Sequence, residues 1–131
     1  LGLPAEMTHR MPFPGPALAT RIVGEVTAER LDTVRAATAI VEEELADSGA
    51  FQYMAVLLND YATGIRNKRR EFGQIIVVRC VESVDARTAT VTELPWPTLH
   101  RVCERIVNEV QGVNRCLYDL TPKPPATIEY V

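Results

Sequence analysis

A chain of 131 residues has an ordinary length for one domain, and a hydrophobic fraction of 47% is enough to build a core. The formal net charge of −3 argues against a general nucleic-acid or membrane-surface binder. No apolar run approaches the roughly 20 residues that a membrane-spanning helix needs, and no signal peptide is visible at the start. We therefore expect a cytoplasmic domain. The first residue is Leu1 rather than Met, which is compatible with a piece of a longer protein.

The first part of the chain predicts a linker, a strand and a helix. Residues 1–20 are proline-rich and cannot form a helix, so they favour an extended linker. Residues 21–26 are predicted to form a short strand. Thr27 is a suitable N-cap for a helix that runs to about Ser48, and Gly49 ends it.

The middle of the chain predicts two strands joined by a polar loop. Residues 51–58 are almost entirely apolar and indicate a central strand. Residues 59–73 are predicted to be a loop, whose cations are Arg66, Lys68, Arg69 and Arg70. This loop is either an anion or nucleic-acid contact or a solvated hairpin tip, and a short basic run in an acidic chain favours the tip. Residues 74–84 form the next strand, where the charged Arg79 needs a partner or a ligand, and Asp85 is the candidate partner.

The last third predicts a helix and two more strands. Pro97 suits the first position of a helix that Gly112 ends. This helix carries one continuous apolar stripe, formed by Leu99, Val102, Cys103, Ile106, Val107 and Val110. Residues 115–120 and the alternating residues 127–130 are predicted to be strands.

This order of elements predicts an α+β fold, a two-layer sandwich with a mostly antiparallel sheet and two helices on one face. The strands are apolar on both faces, so the second face of the sheet needs a cover. A homodimer through this open sheet face is the commonest solution.

Cysteine and histidine usage gives no sign of a metal site or a catalytic thiol. The three cysteines, Cys80, Cys103 and Cys116, are an odd number without a close pair, which indicates a reducing compartment. Each has apolar neighbours and is predicted to be a structural thiol. His9 and His100 are far apart in sequence, and no Cys/His spacing suits a metal.

The C-terminal residues hold several polar groups at fixed spacing. Pro124 and Pro125 stiffen the chain after Lys123. The residues alone favour an edge strand with a solvated lysine.

A resemblance to a known family changes this interpretation. The run Lys-Pro-Pro-Ala-Thr-Ile-Glu at 123–129, followed by an aromatic residue, resembles the end of GMP synthetase, which aminates xanthosine monophosphate (XMP). Matching segments occur in the same order along nearly the whole chain. They are His9-Arg10, Pro12-Phe13-Pro14-Gly15-Pro16, Leu18-Ala19, Arg21-Ile22-Val23-Gly24-Glu25-Val26, Gln52, Ala55-Val56-Leu57-Leu58, Arg79, Ser83-Val84-Asp85, Thr88-Ala89, Arg105-Ile106-Val107-Asn108-Glu109-Val110, Asn114-Arg115 and Tyr118-Asp119.

The resemblance implies that residues 21–131 are the C-terminal dimerisation domain of this family, preceded by a linker at 1–20 that leaves an ATP-binding domain. It also implies that XMP is contacted by Lys123, Glu129, Thr127, Ile128 and Gln52. A lysine suits a phosphate and a carboxylate suits ribose hydroxyls. Possible supporting residues are Arg79, Asp85 and Lys68. The triplet Arg66-Asn67-Lys68 departs from the family, which typically has Met-Gly-Asp there.

The chain alone is predicted to be inactive. The family's Ser-Gly-Gly-Val-Asp-Ser loop for ATP is not in this sequence, and neither is a Cys-His-Glu triad for glutamine hydrolysis. We expect no cofactor in this chain. ATP and Mg are expected in the missing synthetase domain, and a glutamine amidotransferase domain or subunit is an expected partner.

Three hypotheses follow. The first is the dimerisation and XMP-contacting domain of a GMP synthetase. The second is a stand-alone non-catalytic dimer or nucleotide sensor. The third is a nucleic-acid-binding domain that uses residues 66–70, for which binding would weaken steeply with salt. Nucleic acid is the least expected partner because the chain is acidic.

Overall fold

The computed structural model describes residues 18–83, 85 and 87–131, so nearly all of the predicted proline-rich linker lies outside the described residues. The described part contains two helices and four strands. In chain order these are α1 (Ala28–Leu45), β1 (Gln52–Arg66), β2 (Arg69–Ser83), β3 (Ala89–Val91), α2 (Trp96–Glu109) and β4 (Val113–Tyr118). The predicted α+β two-layer architecture is confirmed.

Helix α1 begins where its cap was predicted. The hydroxyl oxygen of Thr27 accepts a hydrogen bond from the backbone N–H of Arg30 at 3.1 Å, which satisfies one of the free donors of the first turn. The helix ends at Leu45, a few residues before the predicted end. Its buried face is formed by Val34, Ala37, Ile40, Val41 and Leu45.

The favoured hairpin tip is confirmed, but the extent of the loop predicted at 59–73 is wrong, because most of these residues extend β1 and β2 into a long antiparallel hairpin. Arg66 pairs directly with Arg69, so the turn consists of Asn67 and Lys68 alone. Both turn residues have positive φ, 54° and 65°, which is typical of a two-residue hairpin turn that matches the strand twist. The outer half of the hairpin is mostly exposed and carries many polar residues beside a few apolar ones, so its composition resembled that of a loop.

Strand β2 is the centre of the sheet. It pairs antiparallel with β1 on one side, and on the other side it pairs antiparallel with β3 near Ser83 and parallel with β4 near Ile75. Strand β4 lies two residues earlier than predicted. The strand predicted at 21–26 is wrong, because this segment makes a single parallel bridge between Ile22 and Leu57.

The strand predicted at 127–130 is also wrong. A single antiparallel bridge joins Lys123 to Ala89, and the chain then continues through turns. Pro124 and Pro125 have no N–H to donate to a ladder, so pairing stops at Lys123. Both proline peptide bonds in this segment are cis.

The core has one large and one small part. The large part lies between the helices and one face of the sheet and includes Ala55, Leu57, Ile76, Val78 and Cys80. The small part, on the opposite face, consists of Met54, Val56 and Val77, which are at most 4% exposed.

Partly buried side chains of the chain itself cover this second face. They are Val23, Leu58 and Ile128. The expectation that the second face lies bare is therefore wrong for the region around Met54, Val56 and Val77, because the C-terminal segment docks there.

Candidate functional site

The C-terminal segment, residues 119–131, is held against the sheet at its start by backbone pairing. The N–H and C=O of Lys123 exchange hydrogen bonds with Ala89 at 2.9 and 3.0 Å. A further backbone bond from Ala126 to Pro122 closes a turn around the two prolines. The polar side chains that follow are thus fixed relative to β3 and β2.

Glu129 lies at the centre of a small polar cluster. Its two carboxylate oxygens accept hydrogen bonds from the guanidinium of Arg21 at 3.4 and 3.2 Å. One of them also accepts from the side-chain amide of Gln52 at 3.3 Å. The Glu129 side chain remains 39% exposed, so it is oriented by the protein and still reachable from solvent.

Arg79 lies beneath this cluster and is fully buried. Its Nε donates to the carbonyl oxygen of Ile128 at 3.1 Å, and Nη2 donates to that of Thr127 at 3.0 Å. Its Nη1 is 3.4 Å from a carboxylate oxygen of Asp119. The predicted need for a partner is confirmed, but the predicted partner Asp85 is wrong.

Asp85 instead organises a local turn. One of its oxygens accepts from the N–H groups of Arg87 and Thr88, at 2.7 and 3.0 Å, and from the Thr88 hydroxyl. These hydrogen bonds, led by that from Arg87, lower the pKa of Asp85. Asp85 was predicted as the partner of Arg79 because it follows β2 closely in the sequence. In the structure its carboxylate accepts hydrogen bonds within its own turn instead.

Asp119 links Arg79 to the far end of the segment. Its carboxylate accepts a short hydrogen bond from the Tyr130 hydroxyl and another from the Thr121 N–H at 2.9 Å. Burial alone would raise the pKa of Asp119, but these bonds and the nearby Arg79 charge hold it below its usual value. Burial and the Asp119 carboxylate raise the pKa of Tyr130 to about 12.

Lys123 differs from these residues because its ammonium group has no hydrogen bond or ion pair with any described residue. The residue is half-buried, and its backbone is fixed by the pairing with Ala89. A positioned but unpaired cation is available for an anionic ligand.

The structure brings together most of the residues predicted for the site. Gln52, Thr127, Ile128, Glu129 and Arg79 form one connected set, with Lys123 on the same segment. Lys68 is separated from them, because it lies in the turn at the opposite end of β1 from Gln52. At roughly 3.3 Å per residue, about 50 Å of strand lies between the two. The turn cations Lys68, Arg69 and Arg70 are exposed.

Sequence reasoning missed Arg21, Asp119 and Tyr130 as members of this set. Arg21 reaches Glu129 across 108 positions in sequence, which no local pattern reveals. The Tyr118-Asp119 pair was part of the family resemblance, but without a fold its carboxylate could not be assigned to Arg79. An apolar groove of about 590 Å³ between α2 and β4 is lined by none of the site residues.

The described residues show neither a metal site nor a membrane-spanning helix. No group of three or more His, Cys, Asp or Glu side chains in this part of the chain is arranged to hold a metal ion. No described helix is both long and apolar enough to cross a membrane. Cys80, Cys103 and Cys116 are free thiols; Cys80 is buried and the other two are half-buried.

Comparison with known proteins gives consistent matches. Residues 38–130 match the family model described as the GMP synthase C terminal domain. The chain is 54% identical to a subunit of the glutamine-hydrolyzing GMP synthase of Archaeoglobus fulgidus, over 99% of this chain and 43% of that protein. It is 50% identical to the corresponding subunit of Methanopyrus kandleri, over 99% of this chain and 44% of that protein.

A third relative, the glutamine-hydrolyzing GMP synthase of Thermomicrobium roseum, is 52% identical over 99% of this chain and 25% of its own length. The chain therefore spans less than half the length of these curated relatives.

Proposed function

The chain belongs to the GMP synthase C-terminal domain family, and from this premise we propose that it contacts XMP and forms the dimer of a glutamine-hydrolysing GMP synthase. In that reaction ATP activates XMP, and ammonia from glutamine then replaces the activating group to give GMP. ATP and Mg are bound by another part of the enzyme. The archaeal relatives are named as one subunit of the enzyme, which supports a separate glutamine amidotransferase subunit as a partner.

The observation that carries this proposal is the contact of Glu129 with Gln52. Glu129 lies on the docked C-terminal segment, which also carries Lys123. The amide at 3.3 Å leaves part of the carboxylate free to accept hydrogen bonds from ribose hydroxyls. The guanidinium of Arg21 offsets the negative charge of Glu129, which favours the approach of an anionic nucleotide. The unpaired ammonium of Lys123 suits the phosphate.

These residues lie on a partly exposed surface rather than in an enclosed cavity, as the 39% exposure of the Glu129 side chain indicates. A nucleotide held only by this surface would keep much of its own surface in water. Ligand sites usually bury about 70–90% of a ligand of this size. The proposal therefore includes a second contact surface for the nucleotide, which the ATP-binding domain supplies.

The test is Lys123→Ala in the complete enzyme, with XMP binding followed by calorimetry. A hydrogen bond to a charged group contributes about 1.5–3 kcal/mol, so affinity should fall by roughly 10- to 100-fold. Lys68→Ala removes the other lysine of the chain as a matched control and should leave the affinity unchanged. Wild-type binding by Lys123→Ala would reject the proposed phosphate contact.

Dimer formation is proposed to use apolar side chains on the outer half of the hairpin. Tyr61, Ile65 and Phe72 are 61%, 76% and 78% exposed there. Cross-strand pairing places Thr63 opposite Phe72 and Ile65 opposite Arg70, so the three apolar side chains share one face of the hairpin. Neighbouring exposed apolar groups favour a protein contact more than scattered ones do.

A further inference from the structure

We propose that Arg79 is a positioning residue for this nucleotide site, acting with Asp119 and Tyr130. These three residues, which we call the Arg79 clamp, hold the chain on both sides of Glu129 and so set the direction of its carboxylate. The inference rests on the proposed function, because it concerns the same site. It assigns no ligand contact to Arg79 itself, whose side chain is fully buried.

The position of Arg79 in the sheet makes the arginine unexpected on packing grounds alone. Its neighbours on the same face of β2 are Val77 and Val81, which are both buried, and an apolar residue would suit the same environment. Burying a guanidinium is unfavourable unless its donors are paired. The partners of Arg79 therefore explain its presence, and they all belong to the C-terminal segment.

The geometry of these partners is specific to arginine. Nε and Nη2 donate to the carbonyls of two consecutive residues, Ile128 and Thr127, at 3.1 and 3.0 Å. The third nitrogen, Nη1, makes an ion pair with Asp119 at 3.4 Å and no hydrogen bond. A planar guanidinium presents donors in a fixed fork that reaches several acceptors at once, whereas a lysine ammonium is a point charge on a flexible stem.

The clamp holds the segment on both sides of Glu129. Arg79 holds the two residues before Glu129, and the Asp119 carboxylate holds the Tyr130 hydroxyl just after it. Between these held residues, the Glu129 side chain contacts Arg21 and Gln52 and remains exposed to solvent. Loosening the backbone at 127, 128 or 130 therefore moves the carboxylate without touching the ligand directly.

The experiment uses the complete enzyme with Arg79→Lys, and Lys123→Ala as a reference for the site itself. A positioning role predicts that Arg79→Lys raises the KM for XMP by about tenfold, while the KM for ATP and the kcat at saturating XMP stay within about twofold. A general folding defect would instead lower the active fraction and hence kcat. Hydrogen exchange of the peptide covering residues 120–131, measured without nucleotide, should become faster in Arg79→Lys.

Tyr130→Phe provides a second variant if Arg79→Lys does not fold. It removes one hydroxyl from a residue that is 37% exposed and lies outside the core, and it should raise the KM for XMP by about threefold. An unchanged KM for XMP in the variants of the clamp, together with a raised one in Lys123→Ala, would overturn the positioning role and leave the proposed function standing. An unchanged KM in Lys123→Ala would instead count against the proposed function.

Discussion

The side-chain amide of Gln52, at the first position of β1, donates a hydrogen bond to Glu129 at 3.3 Å although 77 residues separate them. Arg21 reaches the same carboxylate oxygen at 3.2 Å. Glu129 is therefore held by two side chains that come from different segments. This arrangement makes the cluster sensitive to any added charge.

The first prediction concerns Gln52→Glu, which replaces an amide donor by a carboxylate next to Glu129. Two like charges at this distance raise the pKa of one member of the pair above its unfolded value. The variant should match wild type near pH 4 and lose stability relative to it as the pH rises towards 7. Urea unfolding midpoints at pH 4, 5, 6 and 7 measure this.

Gln111→Glu is the control for this prediction, because Gln111 is exposed beyond α2. It should follow the wild-type pH dependence. A Gln52→Glu variant whose midpoint does not change with pH relative to wild type would show that the contact with Glu129 is not maintained in solution.

The second prediction is that the protein is a dimer and that Phe72→Ser makes it monomeric. Phe72 is 78% exposed on the outer half of the hairpin, so its replacement costs little folding stability while removing apolar area from the proposed interface. Sedimentation at low micromolar concentration separates the two states. Phe51→Ser is the matched control, since Phe51 is 64% exposed at the other end of the hairpin. If Phe72→Ser remains dimeric, the interface lies elsewhere.

The third prediction is that Asp119→Asn reduces the loss of folding stability that occurs as the pH falls from 7 to 2.5. Burial acts to raise the pKa of Asp119, but the hydrogen bonds from Tyr130 and Thr121 and the nearby Arg79 charge outweigh it, so the pKa is lowered. A lowered pKa contributes stability above the unfolded value of about 4, and this contribution disappears as the pH falls through the folded value. Asp119→Asn should therefore be less stable than wild type at pH 7, and the difference should shrink below about pH 4.

Urea unfolding from pH 7 to pH 2.5 tests this expectation. Asp47→Asn changes an exposed carboxylate just after α1 and serves as the control. Curves for wild type and Asp119→Asn that remain parallel over the whole range would contradict the prediction.

The fourth prediction concerns two glycines of the hairpin. A Cβ on Gly73 would lie 2.5 Å from Cγ of Asn114, and one on Gly64 would lie 2.6 Å from Nδ2 of the same side chain. Gly73→Ala should destabilise the fold by about 1–3 kcal/mol, because Asn114 has to move and give up its bond to the Ala62 carbonyl. Denaturant unfolding measures the loss.

The double variant Gly73→Ala with Asn114→Ala isolates this contact. Asn114→Ala alone should cost about 1 kcal/mol for the lost hydrogen bond. In the double variant the two losses should be less than additive, because the contacts with Cγ and Nδ2 of Asn114 are removed and only the contact with Cβ at 2.9 Å remains. Strict additivity would show that the glycine is required for another reason.

The helices and the central strands could be predicted from the sequence because their signals are local. Thr27 marks the start of α1, and the apolar stripe around Val102 and Ile106 indicates α2. The full length of the hairpin was missed because its outer half is exposed and its many polar residues resemble those of a loop. Asn67 and Lys68 can form the tight turn, but nothing nearby in the sequence required it.

The site was only partly predictable. Lys123 and Glu129 belong to a continuous motif, and the resemblance named them. The contact of Glu129 with Arg21 depends on how two distant segments dock, and the choice of Asp119 over Asp85 as the Arg79 partner depends on turn geometry. Such contacts are properties of the tertiary fold rather than of local spacing.

The sheet topology also has a kinetic consequence. The β1–β2 hairpin closes over two residues and can form within microseconds, whereas the parallel pairing of Ile75 with Arg115 must first close a loop that contains β3 and α2. Until β4 arrives, one edge of β2 is unpaired along the apolar run 75–78. Exposed apolar edges are where chains associate wrongly. Newly made chains are therefore expected to aggregate most readily between hairpin formation and the docking of β4.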